Sequence, residues 1–161
     1  MRALIAMALA ASCLAMADEP THSIRQLTPE TALKAAQAAL AKCREGGAQV
    51  AVAVVDRDGL TQVQLRDRYA GPHTLELSVN KAWTAVSFKT NTSELEKLTR
   101  PGQPMSGLRN VARFVAIGGG VMVEAHGSLL GAIGVSGAPG GDADEACALA
   151  GLRAISESLE F

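Results

Sequence analysis

The sequence predicts an α+β domain built on a mostly antiparallel sheet. Two observations carry this prediction. Short valine-rich runs are joined by tight turn signals and read as hairpins, and amphipathic runs lie before, between and after them without regular strand–helix alternation. A third observation is length, since 161 residues suit one core and one domain. A parallel doubly wound sheet is not expected, because its strands would alternate with helices throughout.

The elements follow in order. Thr28 caps a helix that has Pro29 in its first position and Glu30 near the positive end of its dipole. Leu33, Ala36, Leu40 and Cys43 recur at helical spacing, and Gly46-Gly47 stops the run. The stretch QVAVAVVD, 49–56, is short and rich in valine and reads as a central strand. Asp56-Arg57-Asp58-Gly59 is a turn, and Leu60 to Arg68 alternates as the returning strand. Ala70-Gly71-Pro72-His73 is a loop, and Thr74 caps a helix with Leu75, Val79, Ala82, Trp83 and Val86 on one face. That phase turns Trp83 to the core and Lys81 well round from it. Asn91 and Glu94 have capping-box spacing for a short helix through Leu98. After a proline-glycine break at 100–104 and a loop to Asn110, three strands are expected: Phe114–Ile117, Val121–Glu124 and Leu129–Ser136. Gly118-Gly119-Gly120 interrupts the first pair and a turn at 125–128 joins the second. Asp142 and Glu145 form a capping box for a last helix with Leu149, Leu152, Ile155 and Leu159 inward.

Composition narrows the function classes. Hydrophobic residues make up 48% and aromatic residues 3%, so the core is aliphatic and offers few stacking platforms. Net charge is −1 with no block of Lys or Arg, which argues against a nucleic-acid binder. Residues 1–17 read as a secretory signal peptide: Arg2, an apolar run Ala3–Leu14, and the small-x-small site Ala15-Met16-Ala17. A lipoprotein site at Cys13 is the alternative reading. The apolar run is shorter than the ~20 residues a spanning helix needs, so no stable membrane anchor is expected. Residues 18–27 are a lead-in and 28–161 the domain, in a periplasmic or secreted protein. Cys43 and Cys147 both fall on expected helices, as buried free thiols or, if those helices pack side by side, as a disulfide.

Several motifs in chain order carry a resemblance. They are Val52-Ala53-Val54-Val55-Asp56 with Gly59, Ala70-Gly71-Pro72-His73-Thr74, Lys81-Ala82-Trp83-Thr84-Ala85 with Phe88, Gly118-Gly119-Gly120, and Gly131 to Gly137 with Asp144-Glu145. In these the chain resembles the GlcG/HbpS-like haem-binding family over nearly all of its mature length. The resemblance implies a profilin-like or GAF-like sandwich with a five-stranded antiparallel sheet flanked by helices, assembled as a homo-oligomer. It also implies haem or a related tetrapyrrole as ligand, with haem degradation or iron release as a consequence. Family members are further linked to corrinoid enzymes as an appended domain and to small-molecule catabolic operons.

Candidate site residues cluster in and after the 66–74 turn. His73 is the first-choice iron ligand, because a neutral imidazole is a common axial group; the alternative is a ring hydrogen-bonded to nearby backbone. Tyr69 offers a phenolate, or an amphipathic plug between core and water. Lys81, Arg68 and Arg66 are candidate counter-charges for propionates or a small carboxylate, or else solvated charge. Gly71 shapes the loop. Gly119 and Gly120 can bring backbone amides to an anionic group, or simply bend the sheet. Met105 and Met122 are soft donors that more commonly fill gaps. His126 belongs to a turn, and His22 precedes the domain. No Gly-x-Ser-x-Gly elbow, His-Glu-x-x-His helix or Cys-x-x-Cys pair is present, so hydrolase and zinc-enzyme readings lack a warrant. Two further readings remain beside haem binding: the same pocket taking an organic acid without iron, and an accessory subunit for a neighbouring enzyme.

Overall fold

The computed structural model describes residues 20–159. The expected signal peptide, 1–17, lies outside them. Residues 20–27 have no regular structure and end on Leu27, which is buried in the core. Helix α1 is Pro29–Glu45, followed by strands β1, Ala51–Asp56, and β2, Thr61–Arg66. Helices α2, His73–Phe88, and α3, Thr92–Leu98, lead through a 3₁₀ turn at Ser106–Asn110 to β3, Gly120–Ala125, and β4, Ser128–Ser136. Helix α4 is Gly141–Ser156, closed by a 3₁₀ turn at Glu157–Leu159.

Among the described residues the sheet has four strands, in the order β2-β1-β4-β3, with every neighbour antiparallel. The α+β architecture is as expected; the fifth strand is not there. Phe114–Ile117 is apolar enough for a strand, but its backbone groups are engaged elsewhere. Val115 N–H donates to Thr84 Oγ1 at 3.0 Å, Phe114 N–H donates to Val111 C=O at 3.1 Å, and Arg113 turns left-handed at φ 69°. A helix side chain thus takes a hydrogen bond that a neighbouring strand would have made.

Alternation along the strands builds two layers of packing. Val52, Val54, Val121, Val123, Ile133 and Val135 face α1 and α4, while Val55 and Ala132 face α2. Helices α1 and α4 meet through alanines, and a Cβ on Gly151 would lie 2.7 Å from the Ala35 carbonyl oxygen. Cys43 and Cys147 join them as a disulfide with Cα atoms 5.5 Å apart, so the free-thiol expectation is corrected. On the other face α2 seats directly on β4 because Gly134 has no side chain. A Cβ there would fall 2.0 Å from Ser78 C=O and 2.7 Å from Ala82 N.

That close seating rotates α2 relative to the apolar phase read from the sequence. Its buried residues are Thr74, Ser78, Lys81, Ala82, Thr84, Ala85 and Val86, whereas Trp83 is only half-buried. Small polar residues occupy the tight face because their hydroxyls fold back onto backbone carbonyls three residues earlier: Thr74 Oγ1 donates to Gly71 C=O and Ser78 Oγ to Leu75 C=O, at 2.6 and 2.9 Å. Trp83 lies at the rim, with the Arg113 guanidinium 4.8 Å from its ring centre and Gly59 against its edge. Thr28 caps α1 as expected, accepting from Thr31 N–H at 3.3 Å. The two expected capping boxes do not form. Asn91 Oδ1 instead accepts from Met122 N–H at 3.0 Å, and Glu145 Oε1 from Ser93 Oγ at 2.8 Å, so both side chains tie separate elements together.

Candidate functional site

The loop before α2 is built on Asp67. This buried carboxylate is clasped by the Arg44 guanidinium, whose Nε donates at 2.8 Å, and its backbone carbonyl accepts from Ala70 N–H. Arg66 closes the same turn by donating to Ala70 C=O at 2.6 Å. The turn delivers Gly71, Pro72 and then His73, the first residue of α2. His73 is exposed and no protein group hydrogen-bonds its ring among the described residues. The ring lies over Gly71: a Cβ there would sit 2.7 Å from Cε1, 2.8 Å from Nδ1 and 3.8 Å from Nε2. Gly71 is therefore the residue that admits the imidazole, and Nε2 is the nitrogen turned away from the loop.

From His73 a stripe runs down the outer face of α2 at helical spacing. His73, Glu76, Leu77 and Asn80 line a depression of about 230 Å³. Leu77 also walls a neighbouring depression of about 290 Å³, whose other lining includes Phe114, Ile117 and Arg109. The two depressions share Leu77 as a wall, with His73 lining one and Arg109 lining the other. Phe114 is held edge-on against Phe88, ring centres 5.0 Å apart. Arg109 is anchored through Nε to Thr99 C=O at 2.7 Å.

Lys81 belongs to a different cluster. Two turns further along, about 12 Å down the helix axis from His73, it points inward and its side chain is 1% exposed. Nζ donates to Asp144 Oδ2 at 2.7 Å and to Val135 C=O at 3.0 Å, while Asp144 Oδ1 accepts from Ala138 N–H at 2.9 Å. Burial pushes the Asp144 carboxyl above its ordinary value, and the Lys81 ammonium and the Ala138 amide pull it part of the way back. Gly119 covers the pair, since a Cβ there would lie 3.0 Å from Nζ and 2.8 Å from Asp144 Cβ. Gly120 is pressed against Lys81 C=O and donates its N–H to Thr92 Oγ1 at 2.8 Å. The expected outward Lys81 is thus an internal ion pair that ties α2 to β4 and α4, with the glycines as its lid.

Tyr69 is 79% exposed and carries Arg68 over its ring at 5.9 Å. Met105 is exposed, Met122 half-buried, and His126 occupies the β3–β4 turn with φ 49°. No group of three or more His, Cys, Asp or Glu side chains among the described residues is placed to hold a metal ion, and no helix among them is long and apolar enough to cross a membrane. Two residues carry more than their sequence patterns signalled. Leu77 lies off the predicted apolar face, though its spacing of four from His73 places both on one side of a helix. Asp144 stood in a recognised motif without a role, and a lysine on a tightly packed helix is the signal that a carboxylate must meet it.

Comparison with known proteins accords with this architecture. HbpS of Streptomyces reticuli, in a double-mutant form, superimposes with a TM-score of 0.79 at 39% identity, over 96% of this chain and 99% of that one. A PduOC–haem complex superimposes with a TM-score of 0.77 at 32% identity, over 81% and 96%. The corrinoid adenosyltransferase PduO of Salmonella typhimurium is 35% identical over 118 residues, covering 72% of this chain and 33% of that enzyme. The chain thus spans only about a third of the length of PduO. Residues 27–153 match the family model described as haem-degrading protein, HbpS-like. With that match over most of its length, the chain belongs to the HbpS-like family.

Proposed function

We propose that this protein binds haem on the outer face of α2, where His73 Nε2 would hold the iron. The observation that carries the proposal is the exposed, unpartnered imidazole at the head of an apolar strip made by Leu77, Phe114 and Ile117. A flat apolar macrocycle gains by covering such a strip, at roughly 25 cal/mol per Å² of apolar surface removed from water. Arg109 at its far end has only carbonyl partners, so its charge is available to a propionate. The haem complex of PduOC and the description of the family both support haem as the ligand.

Haem, when bound, supplies an iron able to activate an oxidant, and degradation or iron release is proposed as a consequence of that chemistry. The chain's own part is to present His73 over Gly71, to shield one ring face and to hold the propionate edge. Titration of the protein with haemin gives a saturable Soret shift at one equivalent per chain, which His73→Ala weakens or moves. Absence of a saturable shift would sink the proposal, and an unchanged shift in His73→Ala would assign the iron to another ligand, Tyr69 being the next to replace. Peroxide added to the haem-loaded protein should bleach the Soret band faster than it bleaches free haem.

Export to the periplasm or the exterior is proposed with it, supported by the Cys43–Cys147 bridge, which persists in an oxidising compartment. Fractionation of expressing cells decides this. Self-association is proposed on the exposed apolar residues Met105 and Val111, and sedimentation of the haem-free protein as a single-chain species would overturn it.

A further inference from the structure

We infer that the Cys43–Cys147 disulfide is a thiol-exchange site, open to small dithiols through the cavity that it lines. The cavity measures about 480 Å³ and lies between α1 and α4, across the sheet from His73. Both cysteines form part of its wall, with Lys42, Glu45, Ala138 and Ala146 among the other lining residues. The two cysteines are 2% and 5% exposed, and both contribute to this wall. Apart from Lys42, Glu45 and Pro139 the cavity walls carry small side chains, and Ala146 stands exposed on α4. Lys42 lines the cavity with half its side chain in solvent and its ammonium held by Glu45 at 2.9 Å, so a cation stands among the lining residues. Such a bridge differs from one sealed in a core, which a reductant meets only after the protein unfolds.

The exchange is balanced as two displacements. A thiolate of the dithiol attacks one cysteine sulfur and forms a mixed disulfide. The Cys43–Cys147 bond breaks, and its electron pair leaves on the other cysteine, which takes a proton from water. The second thiol of the reductant, as thiolate, then attacks the mixed disulfide on the reductant's own sulfur. It closes a ring and releases the first cysteine as a thiol. The bridge gains two electrons and the dithiol loses two. The two cysteines are 104 residues apart in sequence, so reduction frees a long loop and releases α1 from α4 at one point of their seam.

The test uses the full folded chain without denaturant, well below its Tm, with dithiothreitol as reductant and thiol alkylation read by mass. Reduction is expected to be first order in dithiothreitol over a tenfold range, to slow about tenfold in Ala146→Trp, which narrows the entrance from an exposed helical position, and to slow several-fold in Lys42→Glu. A rate independent of dithiothreitol concentration would overturn the inference, because unfolding would then be the gate. A concentration-dependent rate that neither substitution alters would overturn it too, because the cavity would not be the route. The Tm of each oxidised variant, measured alongside, separates a blocked entrance from a loosened fold.

Discussion

Replacing Lys81 by methionine tests the division of the candidate residues into an internal ion pair and an external ligand face. The substitution keeps most of the stem volume and deletes the ammonium, so packing changes little and the loss is electrostatic. Asp144, whose side chain is 6% exposed, is left with the backbone amides of Ala138 and Gly137 as partners. Breaking a buried pair from one side costs about 3–5 kcal/mol, and neither group is exposed enough for solvent to screen that loss. For a domain of this size the corresponding fall in Tm is roughly 10–20 °C. Thermal unfolding followed by circular dichroism measures it. Asp144→Asn placed on Lys81→Met should recover part of the loss, because the uncompensated charge goes with it. Below its lowered Tm, Lys81→Met should bind haemin with the same midpoint as the parent, since Nζ does not reach the surface. A fall in stability under about 1 kcal/mol would place the pair in water and refute the reasoning. Unchanged stability with weakened haem binding would restore Lys81 as a counter-charge.

Further outcomes follow from the same contacts. Gly134→Ala puts a methyl against the Ser78 carbonyl and the Ala82 nitrogen, backbone atoms that cannot swing aside. Overpacking of this kind costs about 1–3 kcal/mol or more, read as a lower Tm, and an unchanged Tm would mean that α2 does not sit as close to β4 as described. Gly71→Ala meets only the His73 ring, which can rotate, so stability should move by less than about 1 kcal/mol while the Soret position of the haem-loaded protein shifts. The Asp144 carboxyl lies above its ordinary value of 3.8 in the folded chain, so on acidification the folded state takes up this proton before the unfolded chain does. This group's contribution to stability is therefore greatest at low pH and declines as pH rises from the ordinary value through the raised one. The Tm difference between the parent and Asp144→Asn should widen as pH falls from about 7 toward about 4, and a difference that narrows would mean that Lys81 holds the carboxylate ionised below its ordinary range.

Much of this protein is legible in the chain itself because the signals are local. The valine-rich run at 49–56, the alternation after it and the Asp-x-Asp-Gly turn between them announce the β1–β2 hairpin, Thr28-Pro29 starts α1, and His126-Gly127 turns β3 into β4 with both residues at positive φ. The 66–74 turn could be singled out as the place where chemistry begins, and His73 does stand exposed at the head of α2. What could not be read is whatever depends on the distance between elements. The rotation of α2 is set by Gly134, far along the chain, which makes the tightest approach available to the face carrying Ser78 and Ala82 and so turns Trp83 outward and Lys81 inward. The strand expected at 114–117 is lost to a threonine on α2, and the two expected capping boxes give up their side chains to β3 and α3. The pairing of Cys43 with Cys147 waits on α1 and α4 lying side by side. Periodicity reports that a residue has an inner and an outer face; which face is the inner one is decided by the neighbour that packs closest, and that neighbour is supplied only by the fold.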